Sequence, residues 1–350
     1  MERECALLAA EFARRGYVPV VITEQLGEDL PREELVDGIR VLRIPSSPRR
    51  SLALQLRVAA AMARLVLAHR RTAAFAVVRT ITLPAVLVGA LKRLGLIRFP
   101  TLATAEIGGS ADDVVALAER PLFRVSRALV SGHDRLNGIC AANVEHLHEY
   151  GFPAARIRAI PNGIDVSAWS RTVAPERVRR LLFLGRLDPA KGLFELLDAM
   201  RAVRAHHPDV TLTIAGDGEA RGELEHRTRE LGLEDGVTFA GLVPHERTGA
   251  LLDAADALVL PSYSEGMPLS VLEAAAHHRV LVLTDVGDAR LLFGDRAHLC
   301  RPRDAADLAR AIEEAVAGPP SADHGDVVGR VAIETVVSRM LTELGVAERA

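Results

Sequence analysis

The chain has 350 residues, enough for two domains that each bury a core, and its 49% hydrophobic and 25% charged content is ordinary for a globular protein. Three scattered cysteines, Cys5, Cys140 and Cys300, with no CxxC pair, argue against a disulfide frame and a zinc site. A Met-Glu-Arg-Glu start and no apolar run near the ~20 residues of a membrane span point to a cytoplasmic protein.

Helix and strand patterns alternate almost throughout. Residues 2–15 read as a helix stopped by Gly16, followed by strands at 18–23 and 39–44. Residues 52–69 read as a helix flanked or punctuated by Arg49, Arg50, Arg57, Arg64, Arg70 and Arg71. Residues 38–105 hold twelve Lys or Arg and no acidic residue. A basic face of this kind suits an anionic membrane surface or a phosphorylated substrate, so peripheral contact with the inner face of a membrane is one expectation. A strand at 75–79, a helix at 84–94 and a strand at 100–105 lead to the loop Glu106-Ile107-Gly108-Gly109-Ser110. A helix at 121–129, a strand at 136–141, a helix at 144–150 and a strand at 157–160 complete the first half.

Pro161-Asn162-Gly163-Ile164-Asp165 is a turn, and the polar stretch after it, to about Arg180, marks a domain boundary. The boundary also divides the charge. Residues 1–165 have 22 Lys and Arg against 17 Asp and Glu, and the remainder 21 against 29, within a net charge of −3. Beyond it the alternation restarts, with strands at 181–184, 211–215, 237–240, 257–260, 280–284 and 298–300. Helices at 193–206, 221–231, 247–254, 269–277 and 305–317 lie between them. A last helix at 327–344 places Ile333, Val336, Val337, Met340 and Leu344 on one face. The expected fold is α/β, two doubly wound domains, 1–163 and 164–325, facing each other across a cleft. Residues 326–350 would pack back onto the first domain. Ligands of such sheets bind beyond the C-terminal strand ends. One feature departs from the pattern: the chain opens in a helix, without the central first strand and glycine-rich turn of a doubly wound unit. Either this start is assigned late, or the N-terminal sheet is expected to lack its first strand.

Four strand ends in the second half carry candidate chemistry. Gly185-Arg186, Asp188 and Lys191-Gly192 form a glycine turn with two cations before a helix; a planar guanidinium and a point-charge ammonium can clamp a diphosphate. Gly216-Asp217-Gly218 and Gly241-Leu242-Val243 close two further strands. Glu265-Gly266-Met267-Pro268, with Glu273 one turn into the next helix, supplies two carboxylates around a helix N-terminus at 268–270. That set offers acceptors for ribose and sugar hydroxyls and donors for phosphate oxygens. Taken singly, each of these segments also reads as an ordinary loop with solvated charges.

The series GRLDPAKG, IAGDG, FAGLV and EGMPLSVLE, in this order and spacing, with IPNGID upstream, resembles the donor domain of the GT-B glycosyltransferases of family four (glycosyl transferases group 1). The resemblance covers essentially the whole chain. It implies two Rossmann-like domains, the first facing the acceptor and the second the donor, and retaining transfer of a hexosyl or related group from an NDP-sugar of UDP or GDP type. The acceptor implied is a lipid-linked glycan, a polysaccharide or a small molecule, with no metal or cofactor and no nucleic-acid partner. By the same resemblance Arg186 and Lys191 bind the donor diphosphate, Glu265 the transferred sugar and Glu273 the ribose. Gly185 belongs to the donor loop, the amides from Gly266 through Met267 and Pro268 to Leu269 help hold phosphate and sugar, and the base lies near Gly216 and Val243. On the acceptor side, Glu106, Gly109, Ser110 and Asp113 occupy the loop where many relatives carry a histidine. Leu291 stands where glutamate is frequent, and His277-His278-Arg279-Val280 replaces a usual small-Gly-Pro run. The adjacent histidines read as a surface pair at a helix end, and Asp112-Asp113 reads equally well as a helix cap. A non-catalytic sugar-nucleotide binder, or another GT-B enzyme such as an epimerase or phosphorylase, is the alternative reading.

Overall fold

The computed structural model describes residues 2–25, 30–45, 52–106, 112–167 and 171–347. Two compact units emerge: Met1–Gly163 together with Ile333–Ala350, and Ile164–Ala332.

The first unit opens with α1 (Glu2–Arg14), β1 (Val20–Gln25), β2 (Glu33–Val36), β3 (Ile39–Pro45), α2 (Leu52–Ala68) and β4 (Ala76–Arg79). It continues through α3 (Leu83–Arg93), β5 (Thr101–Ala105), α4 (Asp113–Ala118), α5 (Phe123–Val130), β6 (Arg135–Gly138), α6 (Ala141–Glu149) and β7 (Ile157–Ala159). Among the described residues its strands form two sheets, ordered β1-β3-β2 and β4-β5-β6-β7. The second is wholly parallel. In the first, β2 runs antiparallel to β3, with Glu33 and Glu34 reaching Arg40 (2.7 Å) and Arg43 (2.5 Å). This strand was not anticipated: its sequence, Glu-Glu-Leu-Val, opens on two residues with low strand propensity, and the two-residue Asp37-Gly38 turn, with φ +51° and +79°, folds it back onto β3.

The second unit contains β8 (Arg180–Leu184), α7 (Leu193–His206), β9 (Thr211–Ala215), α8 (Arg221–Glu230), β10 (Val237–Gly241), α9 (His245–Ala254), β11 (Ala257–Leu260) and α10 (Leu269–Ala276). It ends with β12 (Val280–Thr284), α11 (Ala289–Phe293), β13 (Ala297–Cys300), α12 (Ala305–Ala317) and α13 (Gly325–Val331). Its six strands are parallel in the order β10-β9-β8-β11-β12-β13. Every residue of β11 and β12 is buried, as expected for apolar strands covered by helices on both faces. The chain winds outward from β8 through β9 to β10, then returns to β11 and winds the other way. The C-terminal ends of β8 and β11 therefore flank the topological switch point, where doubly wound sheets receive ligands.

The expected helix at 327–344 is two helices. It breaks at Ala332 (φ −54°, ψ 132°), and α14 (Ile333–Leu344) belongs to the first unit. The break follows from pairing: Ala332 bridges Ile164, whose amide donates to the Val331 carbonyl at 2.9 Å. From there Ile333, Val336, Val337, Met340, Leu341 and Leu344 pack with Leu8 and Phe12 of α1, Tyr17, Leu102 and Ile160.

Candidate active site

The loop after β8 is held by local rules. The Asp188 carboxylate accepts the Ala190 amide at 2.9 Å and caps the 3-10 turn Pro189–Lys191, and Gly192 follows in the left-handed region at φ +66°. A Cβ on Gly192 would lie 2.1 Å from the Pro261 carbonyl oxygen, so only glycine lets this turn close onto the loop after β11. The consequence is a contact between residues 74 apart in sequence: Lys191 Nζ donates to Glu265 Oε1 at 2.6 Å. The two side chains are 25% and 14% exposed. Arg186, by contrast, is 75% exposed, and its nearest carboxylate oxygen, on Asp188, is 3.9 Å away. The switch point thus presents one paired, sheltered cation and one exposed one.

Gly185 and Gly216 meet backbone to backbone. Gly216 takes φ +146°, and a Cβ there would sit 1.8 Å from the Gly185 carbonyl oxygen. The Gly185 amide donates to Ala215 at 3.0 Å and the Gly216 amide to Gly241 at 2.8 Å, tying the ends of β8, β9 and β10 together. Val243 lies half-buried beyond β10, next to exposed Leu242.

Met267 is buried beneath the Glu265–Pro268 loop, and α10 begins after Pro268 without a side-chain cap. The amides of Leu269 and Ser270 thus lie outside the helix ladder, at its positive end. Glu273, one turn in, is 5% exposed on a helix otherwise buried from Val271 to Ala276. Under the loop lies an apolar gap of about 20 Å³, lined by Met267, Val271, Leu283, Val286, Leu292 and Phe293. It has room for one water-sized body and not for a sugar.

Two residues that shape this loop were not singled out from sequence. Gly287 (φ +55°) approaches so closely that a Cβ would lie 2.4 Å from the Glu265 carbonyl oxygen, and Thr284 Oγ1 donates to the Ser262 carbonyl at 2.6 Å. The glycine in Asp285-Val286-Gly287-Asp288 was the available signal. Leu291 is 71% exposed on α11. Of the two histidines, His277 pairs with Asp253 at 2.7 Å, and among the described residues no cluster of His, Cys, Asp and Glu could hold a metal.

In the first unit the acceptor-side candidates fall into buried polar clusters at strand ends. Glu106, just after β5, ion-pairs with Arg79 at the end of β4, and Arg79 also donates to Glu4 of α1 (3.0 Å). Burial pushes the Glu106 carboxyl up, against the pull of the Arg79 guanidinium. Asp113 accepts the Ile81 amide, and burial raises its carboxyl to about 7. Asp112 is the helix cap, accepting the Val114 amide at 2.8 Å and the Asn143 amide group at 2.6 Å. Gly109 and Ser110 lie outside the described residues.

Sequence models of the "glycosyl transferase 4-like domain" and of "glycosyl transferases group 1" match residues 1–163 and 170–325. The chain belongs to the group 1 glycosyltransferases. A glycogen synthase of Mycobacterium tuberculosis is 33% identical over 229 residues, which are 64% of this chain and 55% of that protein. The chain thus spans about half the length of that curated relative. Among solved structures, sucrose-phosphate synthase from Thermosynechococcus elongatus aligns with 96% of this chain and 90% of its own, at a TM-score of 0.74 and 22% identity. The Anabaena protein Alr3699/HepE, in complex with UDP and glucose, aligns with 97% and 95%, at 0.73 and 20%. These likenesses show the GT-B fold, with two Rossmann-like domains.

Proposed function

We propose that this group 1 glycosyltransferase moves a hexosyl or related group, with retention, from a UDP- or GDP-type sugar nucleotide to a lipid-linked, polysaccharide or small-molecule acceptor. The observation that carries the reading is the meeting of Lys191 and Glu265 at the β8/β11 switch point, where Gly192, Gly216 and Gly287 let the surrounding backbone segments close on one another. In transfer, the bond from the anomeric carbon to the diphosphate breaks and its electron pair leaves with the phosphate oxygen. The acceptor oxygen bonds the same face of the sugar and its proton passes to the departing phosphate. Charge grows on the diphosphate, and in this reading Lys191, Arg186 and the amides at the start of α10 neutralise it, with no metal required. The Glu265 carboxylate, close to that cation, accepts sugar hydroxyls. The buried Glu273 carboxylate accepts ribose hydroxyls. Glu106 and Asp113 belong to the acceptor side as buried carboxylates, held by Arg79 and by the Ile81 amide.

A membrane-facing acceptor is supported by Arg57, Arg64, Arg70, Arg71, Arg93 and Arg98, all exposed. Arg40, Arg43, Arg79 and Lys92 contribute less, since each is paired with a carboxylate. Among the described residues no helix is long and apolar enough to cross a membrane. Two experiments test the proposal. A thermal-shift panel of UDP, GDP, ADP and their common sugars should give a rise selective for one base, and a cooperative melt with no shift would sink the donor site. Sedimentation with phosphatidylserine vesicles at low and high salt should show salt-sensitive binding; no binding at low salt removes the membrane surface.

A further inference from the structure

Tyr263 lies in the loop between β11 and Glu265, and its hydrogen bonds run to the turn that carries Lys191 and to the helix behind it. Its amide donates to the Ala190 carbonyl at 2.9 Å. Its ring edge would stand 3.3 Å from a Cβ at Gly192. Its phenol reaches both oxygens of Glu195, in the first turn of α7, at 2.7 and 2.8 Å. The Arg303 guanidinium covers the ring at 4.5 Å from its centroid. Arg303 does so from a left-handed backbone, φ +59°, which an arginine adopts only where surrounding contacts hold it there. Burial and the Glu195 carboxylate push the phenol up to about 12, so it stays a donor at any working pH.

We infer that Tyr263, gripped by Glu195 and Arg303, is a positioning residue that fixes the Lys191 turn against the Glu265 loop and so sets the cation for the donor diphosphate. The inference rests on the donor-site reading above. Tyr263 touches none of the reacting atoms; it acts through Lys191. A planar, doubly anchored side chain suits this work because it crosses between two loops with only two rotatable bonds to immobilise.

The test is a mutant cycle on the full chain, using UDP, GDP and ADP as probes in calorimetry and following the one that binds most tightly. Tyr263→Ala should weaken it about tenfold or more when Lys191 is present, and less than about twofold in a Lys191→Ala background, since residues acting as a unit are not additive. Tyr263→Phe keeps the ring and loses only the phenol contact, so an intermediate loss, with the melting temperature kept, is expected. Amide exchange over residues 186–193 should accelerate in Tyr263→Ala while that of β12 and α12 does not change. Equal losses in both Lys191 backgrounds, or unchanged exchange over the turn, would overturn the positioning role. If the wild-type chain binds none of the three diphosphates, the donor-site reading fails, and exchange over the turn still decides whether Tyr263 braces it.

Discussion

Lys191→Ala separates the catalytic and structural contributions of one side chain. The ammonium lies 2.6 Å from the Glu265 carboxylate, with both groups mostly sheltered. At that distance, and an effective dielectric near 20, the gross attraction is about 6 kcal/mol. Desolvation and the ordering of two long side chains offset most of it, leaving about 1 kcal/mol of net stability. Removing that much from a unit of this size lowers the melting temperature by roughly 2–4 °C. The protein stays folded. Loss of a fixed donor to a departing diphosphate costs about 3 kcal/mol, about 100-fold in rate. The assay is release of nucleoside diphosphate from the sugar nucleotide that gives the largest thermal shift, with kcat and KM separated and the melt recorded on the same samples. Loss of turnover at least that large, beside a melt lowered by a few degrees, is the expected result. Retention of more than half the wild-type kcat/KM would refute the assignment. A melt lowered by 15 °C or more would instead assign Lys191 to the fold.

Three further outcomes follow from the same geometry. Glu273→Ala should weaken nucleoside diphosphate binding while leaving the melt near that of wild type; unchanged affinity in calorimetry removes the ribose role. Gly216→Ala places a Cβ 1.8 Å from the Gly185 carbonyl oxygen at φ +146°, and should cost ~2–4 kcal/mol in urea unfolding together with nucleotide binding. A loss below ~1 kcal/mol would show that the three strand ends are not locked there. Asp113 holds its proton up to about pH 7 when folded, against about 4 when unfolded, with the Asp112 and Glu106 carboxylates adding to the effect of burial. Its contribution to stability is therefore fully present below about pH 4 and is lost as pH rises through about 7, by up to ~1.4 kcal/mol per pH unit. Comparing urea midpoints of wild type and Asp113→Asn between pH 4 and 7 checks this, and parallel pH profiles would exclude it.

The second unit was legible because its signals are local. The apolar runs of β8, β11 and β12 announce strands buried on both faces, and the glycines and charges that end them stand in the same few residues. The first unit was harder to read. Its opening in α1 ahead of any strand shows in the sequence, and its described strands lie in two sheets where the second unit has one. The break at Ala332 had no sequence signal: alanine is the best helix former, the apolar spacing continues across it, and only the pairing with Ile164, far back in the chain, overrides both. The Arg79 cluster with Glu4 and Glu106 joins residues from an unlinked helix and two strand ends, so sequence could offer Glu106 only as a loop carboxylate.

The same distinction bears on the chemistry. Read one motif at a time, Lys191 belongs to a diphosphate and Glu265 to a sugar, two tasks for two residues. Sheet order makes them neighbours, because β8 pairs with β11 and not with a strand adjacent in sequence on that side. Each is then the other's counter-ion, and a diphosphate that engages Lys191 must compete with a carboxylate 2.6 Å away. In the proposed donor site the carboxylate would give up part of that contact to an arriving diphosphate and then accept a sugar hydroxyl. Diphosphate and sugar recognition would in this way be coupled through a single ion pair. Glu265→Gln should therefore bind a bare nucleoside diphosphate at least as tightly as wild type while turning over the sugar nucleotide far more slowly. Calorimetry with the diphosphate beside the release assay decides it, and weaker diphosphate binding in Glu265→Gln would show that the carboxylate supports the cation and does not compete for it.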